Sequence, residues 1–272
     1  MFFPFFQNRR RQQWLADPQP AVWQDWLLTN VWQYSYLDAR RRSQVERFVC
    51  ILFHEKRWEG GRDFSVTDEM RVTIAGQAAL ATLGFEKPYY FEKLRTIIVY
   101  ENTFSGRVAS GDSLLLGELS PAVQDFSART GEAWPGGPII LSWNSVLQEG
   151  QNERLGRNVV LHEFAHHMDG LDGDTNGAPP FTDFEFEKKW YRVSNHEYQQ
   201  LLEFARRGEP TLLNHYGATN QAEFFAVATE CFFTQPHAMA NKHTNLFRVL
   251  TRLFGQDPCE WLSAAPEKKS VE

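Results

Sequence analysis

Apolar positions recur at helical spacing through much of the chain. Val45, Phe48, Val49 and Phe53 approximate an i, i+3, i+4, i+8 stripe, so the spacing predicts a helix around 44–53. Thr67 followed by Asp68 and Glu69 supplies an N-cap with two carboxylates in the first turn. It opens a helix through Ile74, Ala78 and Ala81, for which Gly84 is the stop. The first 90 or so residues therefore read as mostly helical. Two short runs break that pattern. Residues 95–100 and 138–143 are rich in β-branched and aromatic side chains and predict buried strands, the second at a sheet edge because Pro138 opens it. A polar, Gly- and Ser-containing stretch over 102–113 reads as a loop, and Pro135-Gly136-Gly137 punctuates the chain before the second strand.

Helical spacing then returns. Leu161, Phe164, Ala165 and Met168 fall at i, i+3, i+4 and i+7 within 157–169, ended by Gly170 and Gly173. A loop over 170–182 leads to a helix over 183–206, which Gly208-Glu209-Pro210 breaks. Further helices are expected over 221–233 and 240–254, and a frayed polar tail over 264–272. The expected class is α+β: a small mixed or antiparallel sheet beside the 157–169 helix, surrounded by helices. Residues 1–93 form a mainly helical N-terminal region and 94–263 the region that carries the chemistry.

Composition narrows the options. At 272 residues the chain suits one large domain or two smaller ones, and 14% aromatic residues exclude extensive disorder. A net charge of −6 argues against a nucleic-acid partner, which calls for a clustered basic excess. The runs Arg9-Arg10-Arg11 and Arg40-Arg41-Arg42 read as solvated faces. Cys50, Cys231 and Cys259 are too few and too scattered for a disulfide framework or a cysteine zinc site, and each reads as an apolar filler in a reducing compartment. The opening Met1-Phe2-Phe3-Pro4-Phe5-Phe6 does not fit a secretory signal, and no window is apolar enough for a membrane span. A cytoplasmic protein is expected.

The chemistry concentrates in His162-Glu163-Phe164-Ala165-His166. On a helix, positions i and i+4 lie about 40° apart around the axis, so His162 and His166 can face one metal ion. Glu163 falls beside that ion, where its carboxylate can take a proton from water. A catalytic zinc needs a third protein ligand and keeps its fourth position open. Among His167, Asp169, Asp172, His196, His215, Glu223 and Glu230, the best candidate is Glu223, on a later helix with small and apolar neighbours. Glu230, two turns on, is the alternative. His167 points about 100° away from His166, and Asp169 suits an outer role, accepting from a ligand imidazole. No G-x-S-x-G elbow surrounds Ser142 or Ser145, and no phosphate-binding glycine loop is present. Asp172 and Asp174 lack the ligand series of an EF-hand.

Leu161-His162-Glu163-Phe164-Ala165-His166, then Met168-Asp169, then the segment from Tyr216 to Ala226 resemble the Mlc titration factor A family over nearly the whole chain. The two motif regions are also similar to the catalytic domain of anthrax lethal factor. The resemblance implies a zincin-like peptidase with Zn2+ on His162, His166 and Glu223, Glu163 as general base, and Tyr216 stabilising the oxyanion. It implies aminopeptidase-like cleavage of short peptides. It further implies binding and inactivation of the repressor Mlc, a regulator of glucose-uptake genes, or a mainly non-catalytic binding role of that kind.

Overall fold

The computed structural model describes residues 3–61, 63–102 and 137–263. Helices α1 (Phe3–Ala16), α2 (Val22–Asn30), α3 (Ala39–Glu55) and α4 (Asp68–Ala79) build the N-terminal third. Asp38 caps α3, and Thr67 caps α4 by accepting the Met70 N–H. The α-helix expected to reach Gly84 tightens into a 3-10 turn over Leu80–Thr82. Between α3 and α4 lies a strand that the sequence pattern did not reveal, β1 (Arg57–Gly60). Its residues Arg57-Trp58-Glu59-Gly60 carry no β-branched run, so pairing rather than propensity makes it a strand.

Strands β2 (Thr96–Tyr100) and β3 (Ile139–Ser142) complete a sheet of order β1-β2-β3. Both pairings are parallel, with Arg57 opposite Thr96 and Ile97 opposite Ile139. The expectation of a mixed or antiparallel sheet is thereby corrected. The reason is connectivity: β1 and β2 are joined through α4 rather than a hairpin, and a long crossover returns the chain in the same direction. β3 lies at one end of this order, as Pro138 suggested, and all four of its residues are buried. The expected loop over 102–113 lies almost wholly outside the described residues, as do Pro135, Gly136 and the tail from 264.

The further elements among the described residues are helical, the α-helices being α5 (Trp143–Gln151), α6 (Val159–Asp169), α7 (Phe184–Arg207), α8 (Gln221–Thr234), α9 (Pro236–Lys242), α10 (Thr244–Phe254) and α11 (Pro258–Leu262). The run expected over 240–254 is thus two helices, broken at His243. One core joins all parts. Leu27, Val49 and Ile74 from the first helices, Ile97 and Val99 from β2, Phe164 from α6 and Phe225 and Phe232 from α8 are fully buried within it. Phe91 meets the back of α6, its ring centroid 4.7 Å from that of Phe164, and its carbonyl accepts from the buried Lys56 ammonium at 2.8 Å. The arginine runs divide. Arg9 and Arg10 are exposed, but Arg11 pins α1 to the body through Glu55, with Nε 2.7 Å from Oε2. Arg42 donates to the Ser35 carbonyl at 2.9 Å. The three cysteines are free. Among the described residues, no helix is long and apolar enough to cross a membrane.

Candidate metal centre and cleft

Helices α6 and α8 pack along one another, and their ends are fixed by polar devices. Asn158 caps α6, its Oδ1 accepting the Leu161 N–H at 2.9 Å while its Nδ2 donates to the Gln77 Oε1 of α4. Two further carboxylates take the first N–H groups of α6. Glu230 accepts from Asn158 N at 2.8 Å and Glu149 from Val159 N at 2.6 Å. At the far end, Asp169 is fully buried and accepts from the backbone N–H of Asn176, Gly177 and Ala178. Gly177 has φ +85°, and a Cβ there would stand 2.5 Å from the Gln221 carbonyl oxygen at the start of α8. Only glycine lets the loop lie so close. Asn220 then caps α8 by accepting the N–H of Glu223 itself at 2.9 Å.

These constraints bring His162, His166 and Glu223 together, with one potential ligand atom of each within 4.8 Å of the others. The triangle is tighter than that. His162 Nε2 lies 3.1 Å from His166 Nε2 and 3.1 Å from Glu223 Oε2, and His166 Nε2 lies 3.2 Å from the same oxygen. His162 donates its Nδ1–H to Glu230 Oε1 at 2.6 Å, which leaves a lone pair on its Nε2. Lone-pair atoms gathered at this spacing repel unless positive charge sits between them. The edges are a few tenths of an ångström shorter than the roughly 3.3–3.6 Å that three ligands about 2.0–2.2 Å from a tetrahedral ion would span. Without an ion, protons answer the same crowding: burial disfavours charge on both groups, yet hydrogen bonds with Glu223 and Glu230 hold His162 well above its usual range, and those with His162 and His166 hold Glu223 well below. Two imidazole nitrogens and a carboxylate oxygen at this spacing are a metal-binding donor set, so the residues present fit a metal ion.

The other candidates fall elsewhere. Glu230 is not placed with the three ligand atoms; it orients His162, the role expected of Asp169. Asp169 directs its oxygens to the 176–178 loop instead. His167 turns to the opposite side, its ring 5.8 Å from that of Phe91, and burial with Lys56 and Lys93 nearby pushes it down to about 4. His215 Nε2 bonds the Glu209 carbonyl, while His196 and Asp172 are exposed. Glu163 is buried beside the cluster; burial pushes its carboxyl up, opposed by His162 and His166. Tyr216 is half-buried, with its ring 6.1 Å from that of His162. Burial and the Glu223 carboxylate raise its phenol, keeping the O–H as a donor at neutral pH. Glu149 and Asn158 escaped the sequence reading. Asn158 left a signal, an N-cap residue directly before an apolar helical run; Glu149, on another helix, left none.

Beside the centre opens a cavity of about 470 Å³. His162, Tyr216 and Glu230 form part of its wall, with Val159, Val227 and Ser142.

Two imidazoles and a carboxylate on packed helices, with a further buried glutamate one residue past the first histidine, are the arrangement expected of a metallopeptidase site. Comparison with known families agrees: residues 5–255 match the glucose-regulated metallo-peptidase M90 family, and the chain belongs to it. It is 34% identical over 259 residues to the "Uncharacterized protein slr2042" of Synechocystis sp., covering 94% of this chain and 91% of the relative. It is also similar to proteins named Mlc titration factor A. The identity is 27% over 255 residues in Serratia proteamaculans, covering 93% of each chain. For the Yersinia pestis protein it is 25% over 250 residues, covering 90% of this chain and 89% of the relative. Membership of this family implies a metal ion.

Proposed function

We propose that this chain is a zinc-dependent, aminopeptidase-like hydrolase of peptide bonds with a zincin-like catalytic region over 94–263, supported by the helical 1–93 region. The observation that carries this reading is the triangle of His162 Nε2, His166 Nε2 and Glu223 Oε2. One zinc ion held there would polarise a scissile carbonyl and lower the pKa of water toward about 7. Glu163, buried beside the triangle, takes the proton of the attacking water and delivers it to the leaving amine. Tyr216 donates its O–H to the oxygen on which charge develops. Glu230 holds His162 in the tautomer that presents Nε2. Among the described residues β3 has no strand on its outer side, and an extended peptide lying along that edge would gain affinity with little sequence preference.

The relatives' name, Mlc titration factor A, supports an interaction with Mlc; we propose as a second role that this chain binds and inactivates that repressor in the cytoplasm, in glucose-uptake control. A mainly non-catalytic binding protein is the alternative. Fluorogenic aminoacyl and internally quenched peptides separate the two, comparing wild type with Glu163→Gln at equal zinc content. A catalytic role predicts a loss on the order of 10²–10⁴-fold with zinc retained. Undiminished hydrolysis in the variant would remove Glu163 as the base. Absence of hydrolysis in the zinc-loaded wild type, with Mlc still captured, would favour the binding role.

A further inference from the structure

The cavity beside His162 is acidic by composition, yet its carboxylates are already engaged. Glu230 accepts from His162 Nδ1 and Asn158 N, one donor on each oxygen. Glu149 accepts from Val159 N on Oε2, and its Oε1 meets Arg157 Nε at 3.0 Å. Arg157 is different. Its guanidinium lines the same cavity, is 44% exposed, and is held by one edge only. Among the described residues no acceptor meets its two Nη groups, which leaves most of its five N–H donors unmatched. Glu149 is buried and anchored to the first turn of α6, so the ion pair keeps the guanidinium close to the helix bearing His162. A planar fork paired through Nε, with an Nη edge that meets no acceptor among the described residues, suits a carboxylate, which it can grip with two parallel hydrogen bonds.

We infer that Arg157, oriented by Glu149, is a specificity-determining residue that binds a carboxylate of the peptide in the cavity next to the scissile bond. This rests on the peptidase reading for the meaning of "scissile", but the binding itself does not. The carboxylate belongs either to an aspartate or glutamate side chain or to the free C-terminus of a short peptide. A cationic side chain is disfavoured, since it would meet Arg157 at the mouth and carboxylates already supplied with donors.

The test uses matched peptides on the zinc-loaded protein: glutamate against glutamine at each position near the cleavage point, and a C-terminal acid against its amide. Fluorescence anisotropy on Glu163→Gln reads affinity without turnover, and kcat/KM on the wild type reads the same preference in catalysis. A preference for one acidic form of about 10-fold or more is expected, as for a charge-assisted hydrogen bond. It should vanish in Arg157→Gln and partly survive in Arg157→Lys, with zinc content unchanged. The arm that responds identifies the side chain or the terminus. Equal binding of acidic and neutral peptides, or a preference that persists in Arg157→Gln, overturns the inference. Absence of cleavage with acidic preference intact in binding would overturn the peptidase reading and leave this one standing.

Discussion

Glu223 and Glu230 stand two turns apart on α8 and look interchangeable by residue type. Glu223 closes the triangle with both imidazole Nε2 atoms, whereas Glu230 meets the other nitrogen of His162. Their variants should therefore differ. Glu223→Ala should abolish stoichiometric zinc retention, while Glu230→Gln should keep zinc at about 10–100-fold lower affinity, as loss of an outer hydrogen bond does. Competition with a chromogenic chelator measures both, and equal losses would contradict the division of roles. The two histidines and Glu163 were legible in the sequence because one helix repeats its face over a few residues. The role of Glu230 was not, since the partner it orients is 68 residues away and only the packing of α6 on α8 joins them. Arg157 was hidden likewise: its meaning comes from Glu149, on a helix the pattern did not single out.

At the scale of elements, the stagger of α6 against α8 decides whether three ligand atoms converge. Gly177 is the close approach that sets it, tied to α6 by Asp169 and seated on the backbone of Gln221. Gly177→Ala adds a Cβ where φ is positive and where the Gln221 carbonyl leaves no space. It should cost on the order of 1–3 kcal/mol in urea unfolding and weaken zinc retention as well. Loss of stability without loss of zinc would show that α8 keeps its place without the loop. Helix α4 was readable because its cap and stripe are local signals, whereas for α3 the stripe alone marked 44–53 and the Asp38 cap at its true start went unread. The direction of the strands was not. β2 and β3 announce themselves by composition, but parallel pairing depends on the path between strands, and β1 exists only through its partner.

At the scale of the molecule, α1 is held by ion pairs as well as by packing. Arg11 reaches Glu55 on α3 and Glu92 beyond α4, with its guanidinium 4.6 Å above the centroid of the Tyr90 ring. Burial would raise the Glu55 carboxyl, but Arg11 and Lys56 outweigh it and hold it below its ordinary value. A carboxyl depressed in the folded state stabilises fully above its unfolded pKa, near about 4.3, and that contribution fades as pH falls through the folded value. Glu55→Gln should therefore lower Tm at neutral pH and flatten the decline of Tm below about pH 4.3. Parallel curves for variant and wild type would deny Glu55 that role.

The parallel sheet also has a consequence in time. Each neighbouring strand enters about 40 residues after the last, so the sheet forms only after large loops have closed, and such topologies fold slowly. The ligand triangle adds another distant closure, between residues 61 positions apart. A chain emerging from the ribosome therefore carries its paired histidines long before Glu223 can reach them. A metal ion that needs all three side chains would therefore be held fully only after that distant closure.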